Sequence, residues 1–514
     1  AGDTYWAQYA PTMTAAGTSV TLNDLAPTTD RWDFAAVEVI PTPPPDPNAS
    51  STTSATSTTA EGQSSSSSTT GSSTTGSSTT GPSTTNPSKP GGTTGTTVSS
   101  TTTTTGAGTV PAGVVLQSID GGSSFYVSHG ATKAAPLDNA NFFPIGVWYP
   151  SLNSTSDVTT YQSLGINMLD RPDGNCHLSL LAGTGIYAIP QYGECGGANG
   201  AGIGNESVGL FTDDEVDMNY GPSTGFTYLN NLISGVPASV KSGRFFWSNY
   251  GKGVMIWETP SQAAQFVNDY QQTVSDDYYW FTDSNINGPW GSSPWDQCAQ
   301  FYGLNRDCTT DEAERGSNYG SSIDAIRSLE SPNGSEPIWA FIEDGYPFTG
   351  DSEFITPAEM NWAMWSSIIH GARGIVYFNH SFSGPQQGDN NFENPYYTTT
   401  GITPQAEATD ALIKSLAAVL NDDTALHYVT ANPAPSTFGG IETMAKYHDG
   451  VFTIFADTRD SGGATAIPAT FHVADAAARS VTVVNENRTI PVVNGTFTDT
   501  FATGSTVHIY QVNG

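Results

Sequence analysis

Basic residues are scarce in this chain: 16 Lys and Arg stand against 49 Asp and Glu, a formal net charge of −33 over 514 residues. Such a surface repels phosphodiester backbones and anionic lipid, so nucleic acid and acidic membranes are excluded as expected partners and a neutral ligand fits better. Charged residues of both signs make up only 13% of the chain. Solubility is then left to the hydroxyls of its abundant Ser, Thr and Tyr, a composition associated with extracellular proteins. No apolar run approaches the roughly 20 residues needed to cross a bilayer, so no membrane span is expected. No secretory leader is visible, and the abrupt start at Ala1 implies processing or truncation upstream.

Cofactor signatures are missing as well. There is no Walker loop, no dinucleotide fingerprint and no H-E-x-x-H zinc motif, so neither cofactor nor metal is expected. Asp213, Glu215, Asp217 and Asn219 alternate like calcium ligands, but Met218 stands where an EF-hand loop needs Gly and no Glu closes the twelve-residue frame. An EF-hand is excluded; an irregular calcium site is not. The G-x-S-x-G match at 221–225 follows a polar turn rather than a buried strand, which leaves it a chance occurrence. Cysteine is limited to Cys176, Cys195, Cys298 and Cys308, with no C-x-x-C spacing for zinc. Two close pairs suit two local disulfides formed in an oxidising compartment; the alternative is four buried thiols. Together these features predict a secreted, extracellular monomer.

A chain of this length exceeds one ordinary domain. Residues 41–110 collapse into Ser, Thr, Gly and Pro, as in Thr75-Gly76-Ser77 and the run from Thr101 to Thr105. Such a segment cannot bury a core and reads as a disordered or O-glycosylated linker, spanning about 45 Å as a flexible coil. Before it, residues 1–40 carry β-rich runs, among them Ser19-Val20-Thr21-Leu22, and read as the last part of a β-sandwich-like module. Residues 431–514 show short alternating runs and turn signals such as Asn494-Gly495, and predict a small antiparallel β-sandwich domain.

Between these lies a segment, 111–430, in which apolar runs alternate with amphipathic stretches. Candidate strands fall at 142–149, 166–170, 186–192, 208–213, 245–250, 278–283, 338–343 and 374–380. Helices open at Thr259-Pro260 and Thr356-Pro357, where a capping hydroxyl precedes a proline. Strand–helix alternation repeated eight times predicts an α/β fold, a closed (β/α)8 TIM barrel. The third unit is the weak point, since Gly196-Gly197-Ala198-Asn199-Gly200 offers no helix.

In such a barrel, functional side chains come from the C-terminal ends of strands. These ends supply Trp148 and Tyr149, Asp170, Gln191 and Tyr192, Asp214 and Glu215, Asn249 and Tyr250, Asp283, Glu343, and Asn379 and His380. Amides, carboxylates and aromatics are what sugar recognition requires, because planar rings stack on apolar sugar faces while polar groups bind hydroxyls. Cleaving a glycosidic bond further needs two carboxyl groups across the anomeric carbon. Strands four and seven lie on opposite sides of an eight-stranded barrel, so Glu215 and Glu343 can face each other. Glu215, crowded by Asp213, Asp214 and Asp217, suits the general acid/base, since like charges raise a carboxyl pKa. Glu343, after the apolar run from Ile338 to Ile342, suits the nucleophile. The alternatives are a solvated acidic loop for Glu215 and a rim ion pair, with Arg373 or Arg171, for Glu343. Trp290, Trp295 and Tyr302 lie in a long segment with Cys298 and Cys308 and predict a stapled stacking platform or a packed loop. A second loop with Phe392, Tyr396 and Tyr397 is expected to form the opposite wall.

With these residues in view, segment 141–422 resembles the clan of retaining (β/α)8 glycoside hydrolases that includes family 5 cellulases and family 42 β-galactosidases. That resemblance implies the acid/base at the end of strand four and the nucleophile at the end of strand seven, acting on a polysaccharide or oligosaccharide. The clan usually has Asn-Glu at the end of strand four, whereas this chain has Asp214-Glu215. A rival assignment takes Asp213 or Asp214 as nucleophile and Asp283 as acid. A different class altogether is a non-catalytic carbohydrate-binding or adhesive surface protein on the same scaffold.

Overall fold

The computed structural model describes residues 110–195, 204–350, 352–388 and 390–514. The linker and the upstream β module, together with the glycine run at 196–200, lie outside the described residues.

Eight parallel strands form the centre of the molecule: β1 (Ile145–Trp148), β2 (Met168–Asp170), β3 (Tyr187–Ile189), β4 (Gly209–Asp214), β5 (Phe245–Tyr250), β6 (Thr273–Asp276), β7 (Ile338–Glu343) and β8 (Gly374–Phe378). Their order is β3-β2-β1-β8-β7-β6-β5-β4. Isolated parallel bridges, Ala188 with Ser207 and Gln191 with Phe211, join β3 to β4 and close the barrel. Alternation along the strands decides what faces inward. Phe245 and Trp247 of β5, Trp339 and Phe341 of β7 and Val376 of β8 fill the interior, while Ile338, Ala340, Ile342, Ile375 and Tyr377 pack against the helices. The same period carries Asn249 and Glu343 inward at the upper end of their strands.

Helices α1 (Thr155–Leu164), α2 (Val216–Gly235), α3 (Pro260–Asp269), α4 (Gly316–Leu329), α5 (Pro357–Ile369) and α6 (Ile402–Ser415) form the outer layer. The hydroxyl-proline starts read from the sequence are real caps. Gln262 accepts from the Thr259 amide at 3.0 Å and Glu359 from the Thr356 amide at 2.7 Å, each satisfying an orphan donor. At the opposite end of the barrel, Phe125, Tyr126 and Leu137 plug the interior, with the Tyr126 ring 4.7 Å from that of Phe245.

Two corrections to the sequence reading follow. Strand six is 273–276, not 278–283; the aromatic run Tyr278-Tyr279-Trp280-Phe281 is a buried connection beyond it. The reason is steric: Trp247 and Trp339 already fill the interior beside β6, so this strand contributes the small polar Thr273 and Ser275. The second correction concerns the β domain. It is an antiparallel pair of sheets whose seven-stranded member takes in Val115–Gln117, from the segment assigned to the barrel, next to Thr424–Leu426. Its core is aromatic, with Tyr428 stacked on Phe452 at 3.7 Å and Phe471 on Phe497 at 4.8 Å. It is docked on α4 and α5 through Trp365 against Phe455 and through the Arg459 guanidinium, which donates to Glu442 at 2.5 Å and to Ser321 at 2.8 Å.

Candidate active site

The mouth of the barrel begins with backbone strain. Tyr149, Arg171 and Glu215 each follow directly on a barrel strand, and each adopts a left-handed conformation with φ between 47° and 50°. Non-glycine residues hold that region at a cost of about 1–3 kcal/mol, and such outliers concentrate at functional sites. At Glu215 the turn sits beside a register shift between Phe211 and Asp214, which re-aims the end of β4.

Glu343 is fully buried at the end of β7. Its carboxylate accepts from the Tyr319 hydroxyl at 2.6 and 2.7 Å and from the Thr282 hydroxyl at 3.1 Å. Burial pushes its pKa up to about 7, and these two donors work against that rise by stabilising the ionised form. Glu215 is only partly buried. Burial raises its pKa too, opposed by a hydrogen bond with Asp277 and by the Lys252 ammonium. Asp214 is raised to about 7 by burial and by Glu215, while the Asn249 amide donates to it at 2.9 Å. That amide is itself fixed: Ser275 donates to Asn249 Oδ1 at 2.8 Å and accepts from the Trp247 indole at 3.0 Å.

The strand-four and strand-seven acids share one neighbour. Tyr279, buried in the interior, has its phenol pushed well above the usual range by burial and then by Asp277, Glu343, Asp214 and Glu215. Asp277, whose amide donates to the Tyr250 carbonyl at 3.1 Å, is the acid that strand six actually delivers. Neither Asp277, Tyr279 nor Tyr319 was identified from the sequence. The first two were hidden by the misplaced strand six, and Tyr319 lies on a helix with no motif to mark it.

The other candidates divide. Tyr149 lines the mouth with the Arg171 guanidinium 4.6 Å over its ring, and Arg171 in turn donates to Gln191 and Glu194 at 3.1 Å each. Trp148 is buried edge-on to Phe211, Trp247 and Phe341, and His380 Nε2 lies 3.1 Å from the Trp148 carbonyl. Asp170 is fully buried beneath Gly146, where a Cβ would fall 1.7 Å from its Oδ2. Four candidates are committed elsewhere. Tyr250 is in the helix-facing core with its hydroxyl on Gln271 and the Phe266 carbonyl, and Tyr192 packs outward against Leu210 and Phe246. Asn379 is spent on the following loop, accepting from the Phe392 amide at 2.9 Å. Asp283 is paired with Lys252 and caps the turn Ser284–Asn287. The loop after β8 also differs from expectation, because Phe392 and Tyr397 are buried in the core and its exposed aromatic is Phe382.

Both predicted disulfides, Cys176–Cys195 and Cys298–Cys308, are formed. Asp296, Cys298 and Cys308 do cluster, but both sulfurs are consumed by the disulfide, which leaves no metal site there. Among the described residues no helix is long and apolar enough to cross a membrane.

Fold and site together define a (β/α)8 barrel with a carboxylate-lined, aromatic-rimmed mouth. No family model matches the chain, and no curated protein matches it either. Among solved structures it is similar to a glycoside hydrolase family 30 subfamily 8 xylanase from Clostridium acetobutylicum, at 12% identity over 72% of this chain and 96% of that one, TM-score 0.37. It is similar also to an alpha-amylase from Geobacillus thermoleovorans complexed with acarbose, at 9% identity over 73% and 99%, TM-score 0.41. A third is Amy13B from Eubacterium rectale, at 10% identity over 74% and 98%, TM-score 0.42. What this mouth can do is decided by its own residues.

Proposed function

We propose that the protein is a secreted glycoside hydrolase that cleaves a neutral polysaccharide by a two-carboxylate retaining mechanism. The observation that carries this reading is a carboxyl group at the upper end of each of two barrel strands: Glu343, fully buried on β7 and held by the Tyr319 and Thr282 hydroxyls, and Glu215, in the left-handed turn directly after β4. Two disulfides agree with an oxidising compartment.

In this reading the ionised Glu343 attacks the anomeric carbon while the protonated Glu215 gives its proton to the leaving oxygen, and the glycosidic C–O bond breaks. Glu215, now ionised, takes a proton from water, whose oxygen displaces Glu343 from the glycosyl ester and restores both groups. Glu343 is supplied with hydroxyl donors that favour its charge, while burial, and after it the Asp283 carboxylate, favour the proton on Glu215. Lys252, Arg171 and the hydrogen-bonded Asn249 limit the repulsion within the cluster.

The test is to screen the full chain against neutral polysaccharides, following products by chromatography and their anomeric configuration by NMR. Retained configuration is expected, with Glu343→Gln inactive yet folded by circular dichroism. Near-normal turnover in that variant sinks the assignment. Saturable binding without products from any polymer would favour the non-catalytic carbohydrate-binding reading instead.

A further inference from the structure

Two tryptophans outside the carboxylate cluster stack face to face at the mouth. Trp257 ends the π-helical turn Gly253–Trp257 after β5, and Trp290 lies in the connection after β6; their ring centroids are 4.0 Å apart at 16°. Trp290 remains 43% exposed. An exposed indole of this size leaves a large apolar face in water, and a parallel partner beneath it fixes that face in one orientation.

Both supporting loops are tightly held: the first is tied to the turn that carries Glu215, and the second is paired to the first. The first turn of α2 follows Glu215, and there the buried Asp217 carboxylate accepts from the Gly251 amide at 3.1 Å and the Val254 amide at 2.8 Å. Backbone and helix touch so closely that a Cβ on Gly253 would fall 2.5 Å from Asp217 Oδ2, and one on Gly251 2.4 Å from Met218 Sδ. Lys252 of the same loop pairs with Asp283 at the base of the other. Beyond Asp283 the second loop is closed by the Pro289–Asp296 bridge. Asp296 then accepts from the Ala299 and Cys308 amides at 2.7 and 2.9 Å, next to the Cys298–Cys308 disulfide.

We propose that Trp290, backed by Trp257, is a binding platform for a pyranose unit of the polymer on the leaving-group side of the scissile bond. The reasoning rests on Glu215 as the acid. The leaving oxygen must lie at Glu215, so the leaving half of the chain runs over the loops clamped to Glu215, away from Glu343. A flat indole face suits the C–H face of a pyranose.

The experiment compares the wild-type full chain with Trp290→Ala and Trp290→Phe, and repeats the binding step in the Glu343→Gln background. Xylohexaose, cellohexaose and maltohexaose are the probes, with the corresponding glycosyl fluorides as substrates whose one-atom leaving group cannot reach the platform. Expected for Trp290→Ala is a fall of about 10- to 30-fold in kcat/KM on the hexaose that the wild type cleaves, the scale of a lost aromatic anchor. Glycosyl fluoride hydrolysis should stay within about twofold, and the loss on the hexaose should partly recover in Trp290→Phe. In the Glu343→Gln protein the hexaose should quench tryptophan emission, and adding Trp290→Ala should remove the quench. Equal losses on both substrate types, no loss on the hexaose, or no response of the wild type to any hexaose would overturn the proposal. Full activity in Glu343→Gln would instead overturn the catalytic reading, and the platform would then be judged by the quench alone.

Discussion

The hydroxyl of Tyr319 lies 2.6 Å from Oε1 and 2.7 Å from Oε2 of Glu343, so one proton on helix α4 serves either oxygen of the strand-seven carboxylate. A hydrogen bond to a charged group contributes about 1.5–3 kcal/mol. Tyr319→Phe should therefore lower kcat by about 10- to 100-fold. Because the lost donor stabilised the ionised form, the Glu343 pKa rises, and the acidic limb of the pH–rate profile should move to higher pH. An unmoved limb would mean that Tyr319 only fills space.

Glu215→Gln keeps the shape of the strand-four turn but removes its proton. Turnover of substrates with a sugar leaving group should drop by about 10²- to 10⁴-fold, with the alkaline limb of the profile flattened. Steady-state rates from pH 4 to 9 check this; a preserved alkaline limb would assign the acid to another group, Asp277 being the nearest.

Arg327 reaches the fully buried Asp120 at 2.9 Å and also donates to the His370 and Gly371 carbonyls at 2.6 and 3.1 Å. Arg327→Met leaves the Asp120 charge without a partner and should destabilise the fold by about 3–5 kcal/mol. The double variant Arg327→Met/Asp120→Leu should recover most of it. Denaturant unfolding of the three proteins measures both effects, and a neutral single variant would refute the role of the pair.

His370 is buried between Asp324, 2.7 Å from its Nδ1, and Glu442, 3.1 Å from its Nε2. Burial pulls its pKa down, but Glu442 and Asp324 outweigh that and hold the folded-state value well above the ordinary range. A raised folded pKa gives stability that is complete below the unfolded value of about 6.5 and is lost as pH climbs through the folded value. The wild type should thus lose stability above pH 6.5 more steeply than His370→Gln. Unfolding midpoints between pH 6 and 10 decide it, and parallel curves would contradict the prediction.

Much of this architecture was legible because it depends on local pattern. The runs at 245–250 and 338–343 alternate between a helix-facing and an interior set, and Thr259-Pro260 and Thr356-Pro357 start helices by capping chemistry that needs only neighbours. Strand six was not legible, because Thr273-Val274-Ser275-Asp276 is polar for a tertiary reason, the indoles of Trp247 and Trp339 occupying the space a larger side chain would need. The aromatic run beyond it imitates a strand while packing a loop, with the Trp280 indole donating to Ser322 at 3.0 Å.

The sequence by itself determined seven of the eight barrel strands, the β domain, both disulfide pairs and the placing of Glu215 and Glu343 at the ends of two strands. Periodicity, spacing and turn chemistry are properties of short stretches of chain. Only the tertiary structure decided which side chains surround those two acids. Asp277 reached Glu215 through the true register of β6, Tyr319 reached Glu343 from a helix 24 residues upstream, and Trp257 met Trp290 across two separate loops. Such meetings depend on barrel closure, which brings together residues whose own neighbourhoods in the chain carry no trace of one another.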